Sequence, residues 1–357
     1  MQAECNADGF SLLYEFWAPI VKICKRAANA SALVLEPQPT LINNDGPRMT
    51  NRAFGKPRMP RPATVRLLLL SALLLGGLVG VVMGAAPSAP TQTRPDWDTE
   101  GLIRQHTFAE GDFTLHYAES GTVGGPTVVF IHGTPGSWRS LGRMMIRDDL
   151  RSRAHLVSID RPGWGLSPLP DGRRSEPDFD AQIALITPLL RQLKEHSGGQ
   201  PLLLVGHSYG GSIAPYIAFR HPELVDGILM AASAIDPELG KPRWYNYAAR
   251  TWLVSPFLGD GMRKANDEIW GVYDALERLT PWWQQAKLPL IFLQGEEDEL
   301  VDPRNLDFAE RALPAPNTTV MRLPEQGHLL QVQRRDLLAS LTLQLLDEAQ
   351  RRAAVGD

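Results

Sequence analysis

The chain has 357 residues, 43% hydrophobic and 21% charged, with a formal net charge of −4. That length suits one large domain with additions or two modest ones, and the apolar share is too high for a disordered chain. The mild acidity gives no reason to expect nucleic acid, whose binding needs a concentrated basic surface, and 2 cysteines cannot build a disulfide framework or a four-cysteine zinc site.

In chain order, the first strong signal is the run Leu67 to Ala86, LLLLSALLLGGLVGVVMGAA, which carries no charge. Arg48, Arg52, Lys56, Arg58, Arg61 and Arg66 precede it, with no acid from Pro47 onward. Such a run matches the hydrocarbon thickness of a bilayer. Cations on its N-terminal side stay in the cytoplasm, so the segments that follow are expected on the periplasmic or extracellular face. The run reads as a signal peptide or a retained transmembrane anchor; Gly84-Ala85-Ala86 suits a peptidase and Pro87 does not. Signals normally open on their basic region, yet residues 1–66 place a long tail first. Met49 and Met59 would each open a more usual signal, and the expectation is that the native chain starts at one of them. Both cysteines, Cys5 and Cys24, lie in this tail. Residues 87–100, rich in small residues and proline, read as an extended linker.

The globular pattern is expected over 101–357. Strands are predicted at Gln105–Phe108, Phe113–Glu119, Thr127–His132, His155–Asp160, Leu202–Gly206, Gly227–Ala231, Leu290–Gln294 and Thr319–Leu323. Helices are predicted at about Ser140–Leu150, Phe179–His196, Tyr209–His221, Arg304–Ala312 and Arg335–Arg351. Strands such as TVVFIH and PLLLVG are apolar on both faces, which suits a sheet covered by helices on both sides. The alternation predicts an α/β fold with a mostly parallel central sheet. Asp236 to Lys287 breaks the alternation and holds Trp244, Trp252, Trp270, Trp282 and Trp283, five of the nine tryptophans. It reads as a small helical insertion after the sixth strand (about 237–286), most of its aromatics filling a subdomain core and a few facing a ligand.

The stretch LLLVGHSYGG carries the chemistry. Gly206 and Gly210 permit a tight strand-to-helix turn that presents Ser208 in an exposed, strained position. The following helix N-terminus offers free N–H groups to a developing anion. A serine hydroxyl needs a base, and the base an orienting acid. Asp298 lies just beyond the strand LPLIFLQ and His328 just beyond TTVMRL. The order Ser208, Asp298, His328 is that of an α/β-hydrolase triad. Glu296, Glu297 and Asp302 are rival acids beside Asp298, and Asp236, after the sixth strand, is an alternative acid.

With these residues in place, residues 102 to 351 resemble the α/β-hydrolase superfamily, and within it the capped serine esterase and lipase-like branch. The matching motifs are HGTPGS at His132, DRPGWGLS at Asp160, GHSYG at Gly206, and the GEED and QGH segments. The resemblance implies that the main-chain N–H groups of Thr134 and Tyr209 form an oxyanion hole and that Asp236 to Lys287 is a cap. It also implies that neither metal nor organic cofactor is needed. Epoxide hydrolases and haloalkane dehalogenases of the superfamily use an aspartate where this chain has Ser208, so acyl transfer is expected.

A small to medium apolar ester is the expected substrate. Amide or peptide cleavage, carbon–carbon bond hydrolysis and a non-catalytic binding role on the same scaffold are the alternatives. The expected partner is a small molecule, together with a membrane if the apolar run is retained. His106, His116, His155, His196 and His221 read as surface histidines, and His132 and His207 as shaping the local backbone. Asp160 and Arg161 read as fixing the DRPGWG turn, and Trp138 and Trp164 as packing residues or, alternatively, as lining the site. Arg243, Arg250, Arg263 and Lys264 are cap cations, solvated or facing a substrate carboxylate.

Overall fold

The computed structural model describes residues 94–355. The tail 1–66, the apolar run 67–86 and residues 87–93, including Cys5 and Cys24, lie outside the described residues. Among the described residues no helix is long and apolar enough to cross a membrane.

Eight strands form one sheet: β1 (Arg104–Glu110), β2 (Phe113–Gly121), β3 (Thr127–Ile131), β4 (His155–Ile159), β5 (Leu202–His207), β6 (Gly227–Ala231), β7 (Leu290–Gly295) and β8 (Thr318–Leu323). Their order is β1-β2-β4-β3-β5-β6-β7-β8. β2 pairs antiparallel with β1 and β4, and every other pairing is parallel. The four central strands β3 to β6 are buried at every position, because helices cover both faces.

Side-chain alternation divides the core into two layers. Val129, Ile131, Leu204 and Met230 face α3 (Phe179–His196) and α4 (Tyr209–Arg220). Val128, Phe130, Val205 and Leu229 share the opposite layer with α9 (Arg335–Val355) and the short helices α1 (Arg139–Gly142), α2 (Asp148–Arg151) and α8 (Leu330–Gln333). α7 (Asn305–Ala312) completes the first layer through Leu306 and Ala309.

The single helix expected over 140–150 is two short ones, separated by a turn over 143–146 and by Arg147, whose backbone is extended. Leu141, Met144, Met145 and Leu150 all enter one core layer. On a continuous helix Leu150 would point opposite to Leu141, nine residues earlier, so the break re-aims it inward. The linker expected through residue 100 also ends sooner. Asp98 is buried and accepts the Leu102 and Ile103 amides at 2.8 and 3.2 Å, while Trp97 packs edge-on against Trp138.

Between β6 and β7 lie α5 (Trp244–Ala249), α6 (Asp260–Leu279) and three 3-10 turns, Pro237–Leu239, Ser255–Phe257 and Thr280–Gln285. Of the five tryptophans only Trp283 is fully buried, so the expectation that most fill a core fails. α5 is too short to bury a ring-lined face: its one buried residue is Asn246, which donates to Asn266 at 2.9 Å. Parallel strands bring the C-terminal ends of β3 to β8 to one edge of the sheet, the edge from which this insertion rises.

Candidate active site

β5 passes into α4 through Ser208, whose φ of 55° and ψ of −126° lie in a region that L-residues rarely adopt. The turn closes because glycines flank it. A Cβ on Gly206 would stand 2.4 Å from the Gly210 carbonyl oxygen, and one on Gly210 would stand 2.1 Å from that of Ile131. The Ser208 N–H donates to the Ala231 carbonyl at 2.9 Å, tying the turn to the end of β6. The strain thus rests on neighbours that leave the backbone no alternative.

His328 follows β8. Its Nδ1 stands 2.8 Å from Asp298 Oδ2, beyond the end of β7. A carboxylate only accepts, so Nδ1 carries the hydrogen and Nε2 remains available as a base. Asp298 is buried and also accepts from Gln294 Nε2 at 2.8 Å and from the Leu300 and Val301 amides, both at 2.9 Å. Burial, the largest influence, pushes its carboxyl upward. The His328 charge and hydrogen bond with the two amides outweigh burial and hold it below the ordinary carboxylate value. His207, beside Ser208, contacts His328 at 4.9 Å between ring centroids, and its Nε2 donates to the His328 carbonyl at 2.9 Å. Burial, reinforced by the His328 charge, lowers the His207 pKa to about 3, so it stays neutral.

The loop after β3 presses on this turn: a Cβ on Gly133 would stand 2.9 Å from Ser208 Cβ. The Gly133 carbonyl accepts from His132 Nδ1 at 2.7 Å and from Arg161 Nη2 at 3.0 Å. His132 Nε2 accepts the Arg161 N–H at 3.0 Å, which places the ring hydrogen on Nδ1. Burial, then the Arg161 charge, push the His132 pKa well below its usual value. The only cis peptide bond among the described residues is Thr134–Pro135. The Gly133–Thr134 peptide is therefore trans, and its N–H points opposite to the held carbonyl, away from Arg161. Neither the Thr134 nor the Tyr209 N–H has an acceptor among the described residues.

Arg161 spends all five of its N–H donors. Nε donates to the His132 carbonyl at 3.0 Å, and Nη1 to Gln182 Oε1 at 2.9 Å. Nη1 and Nη2 grip Glu268 of α6 at 2.7 and 3.0 Å. Both side chains of this pair are 0% exposed. Glu268 also accepts from Trp164 Nε1 at 2.9 Å, and the guanidinium stacks 4.5 Å over the Tyr209 ring. Arg161 is thus not merely a turn residue: it joins the loop beside Ser208 to the insertion. Asp160 does hold the turn, accepting the Trp138 and Leu166 amides at 2.8 and 3.0 Å.

Other expectations fare unevenly. Asp236, the alternative acid, caps the turn Pro237–Leu239 by accepting the Glu238 amide at 2.9 Å, and it is Asp298 that meets His328. Glu296 and Glu297 are exposed, and Asp302 pairs with Arg304 at 2.9 Å. His116 and His155, read as surface histidines, are buried, held by Asp160 at 2.8 Å and Glu119 at 2.9 Å. Trp138 and Trp164 are buried as packing residues. Arg243 stands 4.0 Å from Asp302 and Arg250 3.9 Å from Asp267, while Arg263 and Lys264 both approach Asp260.

Glu268, Gln182 and Gln294 were not anticipated. Glu268 had a signal: it occupies the buried stripe of α6 with Ala265, Val272, Ala275, Leu276 and Leu279, where a charge demands a partner. Among the described residues no cluster of three or more His, Cys, Asp or Glu side chains is placed to hold a metal ion.

The model of the alpha/beta hydrolase family matches residues 128–341. A 1-acylglycerol-3-phosphate O-acyltransferase of Arabidopsis thaliana is 33% identical over 136 residues, covering 36% of this chain and 30% of the relative. Epoxide hydrolase 4 of Mus musculus is 34% identical over 189 residues, covering 47% of this chain and 50% of the relative. The match therefore spans half or less of these two relatives. Among solved structures, an epoxide hydrolase of Vigna radiata has a TM-score of 0.54 at 16% identity, covering 70% of this chain and 99% of that one, a likeness of fold.

Proposed function

Because the chain belongs to the alpha/beta hydrolase family, we propose that it is a serine hydrolase that cleaves small to medium apolar carboxylic esters through an acyl-enzyme. The observation that carries the reading is the strained Ser208 turn beside a buried His328–Asp298 couple. In this scheme His328 Nε2 takes the Ser208 hydroxyl proton as Oγ attacks the ester carbonyl, and Asp298 stabilises the imidazolium. The oxyanion is met by the Thr134 and Tyr209 N–H groups, the second at the positive end of α4. His328 then protonates the leaving alcohol and activates the water that releases the acid. Arg161 and His132 serve this step by fixing the Gly133–Thr134 peptide before substrate arrives.

A serine nucleophile separates this chain from the aspartate chemistry of epoxide hydrolases. The name of the Arabidopsis relative describes acyl transfer to an alcohol, which differs from hydrolysis only in what accepts the acyl group. The basic-flanked run Leu67 to Ala86 supports action on the exported side of a membrane. Hydrolysis of p-nitrophenyl esters from acetate to decanoate, with Ser208→Ala alongside, tests the reading. Turnover and fluorophosphonate labelling are expected for the parent chain alone, and adding an alcohol acceptor distinguishes transfer from hydrolysis. A folded chain that neither turns over an ester nor labels at Ser208 refutes it.

A further inference from the structure

Exposed apolar side chains are gathered in one place. Among the described residues nine large hydrophobic side chains stand out into solvent, and five of them, Trp244, Tyr247, Trp252, Leu253 and Phe257, lie within 244–257 at 58–85% exposure. Between Glu238 and Asp260 the chain has no acid and three cations, Lys241, Arg243 and Arg250. The acids that face these cations belong to flanking segments. Glu238 is 2.7 Å from Lys241, while Asp302 and Asp267 stand at 4.0 and 3.9 Å from Arg243 and Arg250, too far to bond strongly. Two of these rings pack against neighbours: Trp244 edge-on to Tyr245 and Tyr247 edge-on to Trp270, over which Arg250 stacks at 4.4 Å.

We infer that residues 241–258 form a surface that docks on an anionic lipid bilayer. Trp252, Leu253 and Phe257 enter the boundary between headgroups and acyl chains, and Lys241, Arg243 and Arg250 meet the phosphates. Tryptophan and tyrosine favour that boundary because one end of each ring system is apolar and the other polar. Cations flanking exposed apolar rings, in a segment that itself carries no acid, are the composition of a membrane-surface segment. Where the uncharged run Leu67 to Ala86 is retained as an anchor, it holds the chain close to a bilayer. None of the docking residues belongs to the Ser208 site, so the inference stands apart from the esterase reading.

The test uses the full chain with Cys5→Ser and Cys24→Ser, carrying an environment-sensitive fluorophore at Leu253→Cys or at Val123→Cys. Val123 is also exposed but precedes β3, at the opposite edge of the sheet from the insertion. On vesicles containing phosphatidylglycerol the probe at 253 is expected to shift to the blue and to be shielded from iodide, while the probe at 123 stays wet. Changing Lys241, Arg243 and Arg250 to Gln is expected to raise the lipid concentration needed about a hundredfold, since each cation near an anionic surface is worth about fivefold. A probe at 253 that stays wet while the chain floats with vesicles overturns the inference and leaves the apolar run as the anchor. So does an equal response on pure phosphatidylcholine. A probe already dry without lipid, and wetted by dilution, makes the patch an interface between two copies and likewise overturns it. Ser208→Ala is expected to leave the probe response unchanged, which separates this outcome from the fate of the esterase reading.

Discussion

Glu268→Gln isolates the buried ion pair that ties the insertion to the loop beside Ser208. The substitution keeps shape but replaces one carboxylate oxygen by an NH2 group that faces guanidinium donors, so one of the 2.7 and 3.0 Å bonds becomes donor against donor. Arg161 keeps its charge in a fully buried site, with Gln182 and two main-chain carbonyls as partners and no carboxylate. Removing one member of a buried pair costs about 3–5 kcal/mol, because the remaining charge is uncompensated. Domain stabilities are about 5–15 kcal/mol, so the variant should fold with a reduced margin. At about 2–4 °C per kcal/mol for a domain of this size, the melting temperature should fall by about 6–20 °C. Thermal and urea unfolding followed by circular dichroism measure the loss.

The paired change Arg161→Met with Glu268→Leu should recover most of that stability, as apolar replacements of whole buried pairs do. Its kcat on p-nitrophenyl esters should nevertheless stay at least about tenfold low, because the His132 and Gly133 carbonyls lose their guanidinium donors and the Thr134 amide is no longer aimed. Two results refute the reasoning. Glu268→Gln within about 0.5 kcal/mol of the parent chain would mean that the pair's charges are compensated elsewhere. A paired variant with normal kcat would mean that Arg161 positions nothing.

Ser208→Gly should be about 1 kcal/mol more stable than Ser208→Ala in urea titrations, since glycine relieves a backbone at φ 55° at some entropic cost. Asp298→Asn should lower kcat by about four orders of magnitude by misplacing the His328 hydrogen. Asp236→Asn should retain near-normal kcat and lose at most about 1 kcal/mol as a weakened cap; the reverse pattern in ester kinetics would move the acid to Asp236. His207 contributes a pH dependence of stability. Its folded pKa of about 3 lies below the unfolded value near 6.5. The unfolded chain therefore binds the extra proton first, and stability falls as pH drops from 6.5 toward 3, by about 2 kcal/mol at pH 5. His207→Gln, which keeps a donor for the His328 carbonyl, should lessen the slope between pH 5 and 7 by that amount in denaturation curves, leaving the part that buried His132 contributes in the same direction.

Local chemistry made much of this protein legible in its sequence. Strands with apolar side chains on both faces, such as Thr127–Ile131 and Leu202–His207, bury every position only inside a sheet covered on both sides. Gly206 and Gly210 around Ser208 write the turn directly, because close backbone approach excludes any larger residue there. Residues beyond strand ends in a parallel sheet converge on one edge, which is why His328 and two candidate acids, Asp298 and Asp236, could be read from the sequence. Tertiary structure decided what depends on partners distant in the chain. Asp298 and Asp236 both follow strands, and only folding shows that one meets His328 while the other caps a turn. His116 reads as exposed until Asp160, far along the chain, is placed against it. Arg161 acquires its role from Glu268, more than a hundred residues later, since a buried charge is stable only where the fold delivers its counter-charge. The insertion's aromatics lie at the same boundary: composition marks them as apolar, but only packing determines which rings are left to meet solvent or a surface.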